Sequence, residues 1–201
     1  EWIESLGRPD DHAELIAHHY ASALELLAAS GGPADDALRE HARIAFRRAG
    51  DRAVALNAFG PAADHYAAAL ALWSDDAERP RLEFALARAE FFSGRNDGRP
   101  VTTAAERLLE VEPLEAATAL GLASEAAWHR GDREEKDRLL AQALELVEPL
   151  PDSEAKAWIL SRAARNAMLA SRREVAVDLG ERALVMATTL DLPEVRAHAL
   201  N

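Results

Sequence analysis

A pattern of small and aromatic residues returns about every 34 to 40 positions along this chain, and that period restricts the fold more than any other feature of the sequence. It is clearest in Phe46, Ala49, Gly50, Ala53, Phe59, Ala62, Tyr66, Ala69 and Leu70. It returns in Trp128, Gly131, Ala143 and Leu144, and again in Ala164, Ala167, Ala176, Ala183 and Leu184. The Ala-Leu pairs at 69–70, 143–144 and 183–184 act as a ruler. The last two pairs lie 40 residues apart and the first two 74 apart, which leaves room for one degenerate unit between them. Stacked helical hairpins produce a recurrence of this length, because one hairpin cannot bury its apolar face without a neighbour. Such stacks offer extended surfaces, so the class of function expected is binding rather than catalysis.

Composition agrees. Hydrophobic residues make up 49% of the chain but aromatics only 5%. Alanine dominates, and small side chains let helices approach closely. Strand signals are nearly absent, with Val101-Thr102-Thr103 the only cluster of β-branched residues. The net charge of −12 argues against a nucleic-acid surface, which needs basic patches to displace counterions from phosphates, and against docking on an anionic membrane. Only two lysines occur, Lys136 and Lys156. The arginine bias and the alanine richness read as translation from a GC-rich bacterial genome. There is no cysteine, hence no disulfide, thiolate zinc site or cysteine nucleophile, and a cytoplasmic location is expected. No apolar run approaches the roughly 20 residues of a spanning helix, and no signal peptide is visible. The chain opens on Glu1 and closes just after a fresh helix signal at Pro193-Glu194, so it is read as a piece of a longer polypeptide.

Helix punctuation divides the chain into hairpins at roughly 10–50, 51–111, 114–147 and 153–189, with a further helix from 193. Pro9-Asp10-Asp11 starts the first helix and Gly31-Gly32-Pro33 ends it. The second helix starts near Ala34-Asp35-Asp36. Gly50-Asp51 reads as a small-residue contact inside a hairpin rather than as a break. Residues 57–61 turn the chain into a helix that reaches Trp73, and Ser74-Asp75-Asp76 punctuates. The segment 94–100 holds two Gly and one Pro, so the 51–111 region is irregular, with a short return helix over 101–111. Further turns fall at Arg130-Gly131-Asp132 and Ser171-Arg172, and Pro149-Leu150-Pro151 is a firm stop.

The stretch 46–70 resembles a tetratricopeptide repeat, with small residues where two helices touch and Ala-x₃-Tyr-x₂-Ala-Leu on the second helix. The whole chain is similar to the helical-repeat arm of bacterial signalling ATPases of the STAND class, on the strength of AELIAHHYASALEL, AGDRAVALNAFGPAADHYAAALALW and DLPEVRAHALN. The resemblance covers most of residues 10–201. It implies an all-α fold: a right-handed α-α superhelix of stacked antiparallel hairpins. It also implies a place beside an ATPase core with a LuxR-type DNA-binding or nucleotide-cyclase output domain. Gly180 stands where the repeat usually has an aromatic.

Reaction chemistry is hard to assemble. Neither lysine ends a glycine-rich phosphate loop. His12, His18 and His19 are the most tempting metal cluster, but adjacent helical residues point about 100° apart and the i, i+4 spacing of helical zinc sites is missing. No metal or cofactor is expected. Arg130-Gly131-Asp132 is explained by a turn glycine and a capping aspartate. The pairs Asp75-Asp76 and Glu134-Glu135 fall at helix starts, where they complement the dipole. Trp73, Phe84, Phe91, Phe92, Trp128, Trp158 and Met168 recur at helical spacing and are read as core.

The arginines carry more. In repeats of this resemblance the first helices of the hairpins line the concave face that grips peptides. Those helices offer Arg47 and Arg48, then Arg88, then Glu125 with His129, then Arg162 with Arg165. Arg162 and Arg165 are three apart and share a helical face. Basic residues gathered in a groove of an acidic protein suit an acidic peptide or a carboxylate, whereas scattered ones simply pair with neighbouring glutamates. The expected function is a non-catalytic arm that senses a protein, a peptide or a small effector within a larger regulator. The alternative is a self-standing adaptor that holds acidic peptide tails. A homodimer through the apolar end of the stack is a further expectation. A carboxylate hydrolase would need converging titratable groups, and no such constellation is evident.

Overall fold

The computed structural model describes residues 12–31, 36–73 and 78–200. These residues form ten α-helices and no strand. In chain order they are α1 (Ala13–Ala29), α2 (Asp36–Ala55), α3 (Phe59–Leu72), α4 (Arg79–Phe92) and α5 (Arg99–Leu108), then α6 (Pro113–Arg130), α7 (Arg133–Val147), α8 (Glu154–Leu169), α9 (Arg173–Thr189) and α10 (Pro193–Ala199). The starts read at Pro9-Asp10-Asp11 and Ala34-Asp35, and the stop at Ser74-Asp75-Asp76, lie outside the described residues. Helices gather into two compact units, one ending at Asn96 and one beginning at Asp97, so the division falls inside the stretched 94–100 turn.

Each unit is built from helices that pack on their chain neighbours. In the first, α1 packs on α2, α2 on α3 and α3 on α4. In the second, α6 pairs with α7 and α8 with α9, while α6, α8 and α10 also touch one another in sequence. That added contact between alternate helices is the stacking of one hairpin on the next, and the fold is an all-α array of stacked helical hairpins.

The ruler residues hold equivalent places. Ala69, Ala143 and Ala183 are fully buried on α3, α7 and α9, and the leucine after each is half-buried. A methyl group is what sits at these three contacts, and alanine supplies most of the buried apolar residues.

Four helices also share a closing device whose geometry residue types alone did not reveal. Asn57, Gly94, Gly131 and Ser171 each adopt a left-handed conformation at the end of α2, α4, α6 and α8. The residue after each donates its amide to a carbonyl five positions back: Ala58 to Ala53 at 2.8 Å, Arg95 to Glu90 at 2.8 Å, Asp132 to Ala127 at 3.0 Å and Arg172 to Ala167 at 2.8 Å. This is the Schellman closure, which satisfies carbonyls a helix end would otherwise leave unpaired. From 57 to 94 and from 94 to 131 is 37 residues, and from 131 to 171 is 40, so the closures keep the repeat period even through the irregular region. At the third closure Gly131 supplies the turn and the Asp132 side chain then caps α7 by accepting the Glu135 amide at 3.0 Å.

Helix α2 runs unbroken through Gly50. A Cβ there would lie 2.5 Å from the Tyr66 ring of α3, so the glycine is the small-residue contact of that hairpin. Tyr66 cannot move aside easily, because its buried hydroxyl donates to Asp51 Oδ1 at 2.8 Å. Burial and that carboxylate push the tyrosine hydroxyl well above its ordinary pKa.

One expectation fails. Trp73 and Phe84 are core residues, and Phe91 and Trp158 are half-buried, but Phe92, Trp128 and Met168 are 49%, 46% and 52% exposed. Helical spacing placed them on plausible faces. Among the described residues rings are buried at Phe46, Tyr66, Trp73 and Phe84, the Tyr66 ring against Gly50, whereas most other contact positions are filled by alanine and leave these three side chains at the margins.

The close contacts and the closures can each be tested by substitution. Gly50→Ala gains up to about 1 kcal/mol of helix propensity but forces an overpacking cost of about 1–3 kcal/mol, giving a net loss of about 1–2 kcal/mol in urea denaturation. Gly180→Ala, whose Cβ would meet only Ala164 Cβ at 3.8 Å, gains about 0.5–1 kcal/mol in the same experiment. Separately, Ser171→Gly relieves the left-handed strain of a residue with a Cβ and raises the thermal midpoint, with a net gain of about 0.5–1 kcal/mol after the added flexibility of the unfolded chain.

Candidate binding site

Within the second unit, α6, α7 and α8 enclose a pocket of about 230 Å³. Helix α6 lines it with Gly121, Ser124, Glu125 and Trp128, α7 with Lys136 and Leu140, and α8 with Arg162, Arg165, Asn166 and Leu169. Gly121 lets the two first helices draw together, since a Cβ on it would come within 2.6 Å of Ile159 Cδ1 on α8. Ser124 ties α6 to α7 by donating its hydroxyl to the Lys136 carbonyl at 2.9 Å.

Three cations and one carboxylate face this space. Arg162 pairs with Glu125 at 3.1 Å, and burial pulls its pKa below the ordinary arginine value without discharging it. Arg165, one turn from Ser161 on α8, is exposed and forms no ion pair with the described residues. Lys136 reaches across from α7, donates to Asn166 Oδ1, pairs with Asp137 at 3.0 Å and stands 5.3 Å from the centre of the Trp128 ring. Asn166 in turn donates to Asp137 at 2.9 Å. Burial raises the Asp137 pKa, but the bonds from Asn166 and Lys136 outweigh it and hold the carboxyl below its ordinary value. Lys136 is thus fixed by neighbours, whereas Arg165 is the cation turned outward.

Beside the pocket, α10 docks on α8. His198 Nδ1 lies 2.7 Å from the Ser161 hydroxyl, and its ring meets Trp158 edge-on with centroids 5.3 Å apart. Desolvation lowers the His198 pKa, and the positive charges of Arg165 and Arg162 lower it further. The imidazole is therefore held neutral.

Of the residues read from sequence, the pocket brings together Glu125, Arg162 and Arg165. His129 is exposed on α6 and does not line it. Arg47, Arg48 and Arg88 lie in the first unit, where Arg47 pairs with Glu78 at 3.2 Å, Arg48 is exposed and Arg88 stands 5.9 Å from the Phe84 ring centre. Lys136, Asn166, Trp128 and Leu169 are additions. Helical spacing could have found three of them: Asn166 lies four residues after Arg162, Leu169 four after Arg165 and Trp128 three after Glu125. Among the described residues no three His, Asp or Glu side chains are grouped to hold a metal, and His18 and His19 are exposed on α1. No described helix is long and apolar enough to cross a membrane. The chain matches no protein-family model, and no curated protein is significantly similar to it.

The depressed His198 pKa has a measurable consequence. The folded state disfavours the imidazolium, whereas the unfolded chain takes up a proton at the ordinary value of 6.5. Stability from this group is complete above about pH 6.5 and is lost as pH falls through the lower folded value. His198→Asn keeps a hydrogen-bonding atom for Ser161 but cannot titrate, so thermal melting from pH 8 to 5.5 falls less steeply in the variant than in the parent.

Proposed function

We propose that the chain is a non-catalytic interaction module whose second unit anchors an acidic side chain or carboxyl terminus of a peptide, acting in the cytoplasm as the helical-repeat arm of a larger bacterial signalling regulator. The observation that carries this reading is the convergence of Arg162 and Arg165 with Lys136 in one pocket of a protein whose net charge is −12. Trp128 and Leu169 add apolar surface at the same place. Small-molecule sites usually enclose about 300–1,000 Å³, so a volume of about 230 Å³ suits a single side chain of a peptide better than a whole small effector.

The non-catalytic part rests on what the reactive groups are doing. Ser124 is committed to a backbone carbonyl, and Glu125 to Arg162. Ser161 and His198 form a hydroxyl–imidazole pair, but Ser161 is only 2% exposed, so no substrate carbonyl could reach it. The repeat architecture supports the link to a STAND-class regulator. A self-standing adaptor for acidic peptide tails would use the same pocket chemistry, and the flanking gene sequence separates the two. The regulator reading requires a phosphate-loop ATPase upstream, and a reading frame holding only these repeats would sink it.

For the pocket itself, a peptide array scanned with the whole chain should yield acidic binders, followed by Trp fluorescence titration in solution. A charge-assisted bond contributes about 1.5–3 kcal/mol, so Arg165→Glu should weaken binding about 10- to 100-fold while leaving the melting temperature unchanged. An array without acidic binders, or a variant that binds as tightly as the parent, would rule this pocket out.

A further inference from the structure

The pocket and the α10 contact are built on one face of one helix. Trp158, Ser161, Arg162 and Arg165 stand at spacings of three, four and seven residues, a single stripe along α8. One edge of that stripe meets α10, through the Ser161–His198 bond of 2.7 Å and the Trp158–His198 ring contact. The other edge meets α6, through the Arg162–Glu125 ion pair, and lines the pocket. Arg162 belongs to both, with its guanidinium carbon 5.7 Å from the centre of the Trp158 ring that His198 also touches.

We propose that this is a proton-coupled anion site: an anionic group seated at Arg162 and Arg165 draws a proton onto His198. The proposal rests on the interaction reading above and extends it to how that site responds to pH. The charged groups that act on the imidazole are Arg165 and Arg162 of α8, which oppose a positive charge, and Glu125 of α6, which favours one; α9, also packed on α10, contributes none of them. An anion at the two guanidinium groups cancels much of their field. The imidazolium then has the Glu125 carboxylate as favourable company. Protonation also leaves the Ser161 contact intact, because a hydroxyl can accept from Nδ1–H as readily as it donates to the bare nitrogen.

Coupling of this kind is reciprocal. If an anion raises the His198 pKa, protonated His198 binds the anion more tightly, and affinity climbs as pH falls. Uptake of one proton sets the ceiling at about tenfold per pH unit.

An acetylated tri-glutamate peptide is a suitable probe, because its carboxylates stay ionised throughout the window used. Calorimetric titration of the whole chain between pH 6 and 7.5, in buffers of different ionisation enthalpy, should show net proton uptake on binding and an affinity that rises toward low pH. The NMR titration midpoint of the His198 ring should move upward when the peptide is added. His198→Asn should bind the peptide with the uptake gone, while His129→Asn should keep it. Binding with no proton uptake, or with an unmoved His198 midpoint, overturns the coupling and leaves the interaction reading intact. No binding from pH 5.5 to 8 overturns both. The midpoint is read on the unaltered chain, so the outcome does not depend on a variant that folds.

Discussion

The left-handed residue that closes each first helix is the constraint from which the rest of the structure develops. At Asn57, Gly94, Gly131 and Ser171 the chain stops being helical by the same pair of backbone hydrogen bonds, and it does so at a nearly constant interval. A closure of this type spends no side chain on capping the carbonyls and leaves the following residue positioned to begin another element. Asp132 uses that position to cap α7. Because the device needs only a backbone conformation, it survives where the side-chain pattern of the repeat has faded, as it does at Gly94.

Hairpins closed this way can nest closely only if their contact faces are small. The core is accordingly a lattice of alanines, with Gly50 and Gly121 where even a methyl would collide with Tyr66 or Ile159. A buried methyl removes little apolar area compared with a leucine or a ring, so cohesion is spread over many weak contacts. Trp128 and Leu169 are exposed, and they stand beside cations at the same margin, giving the pocket both apolar and charged walls.

The sequence was informative where residue type and position are tied to one physical demand. Ala69, Ala143 and Ala183 mark helix contacts because only a small side chain fits there, and Asp132 marks a cap because only a short acceptor reaches the amide. The helix ends were legible in position, since turns were read at 57–61 and at Ser171-Arg172, but not in geometry: Asn57 tolerates a left-handed conformation, whereas Ser171 is an ordinary residue that the fold forces into one. The candidate site was half visible. Arg162, Arg165 and Glu125 follow from helical spacing within a recognisable pair of first helices. Lys136 does not, because it arrives from a second helix by an approach that depends on how α7 packs. Arg47, Arg48 and Arg88 were offered because they too lie on first helices, but they stand in the other unit and do not line this pocket, so a place on a first helix does not by itself make a site.

Lysine placement has a consequence of its own. The two lysines bridge the same seam: Lys136 of α7 holds Asn166 of α8, and Lys156 of α8 donates to the carbonyls of Glu148 at 3.0 Å and Leu150 at 2.7 Å just past the end of α7. Both ammonium groups are engaged internally, and Lys156 is buried. Acylating reagents therefore find no idle lysine on this chain. Lys136 stays open to them from the pocket, so it is the rate of attack on buried Lys156 that becomes a clock for how often α8 parts from the end of α7.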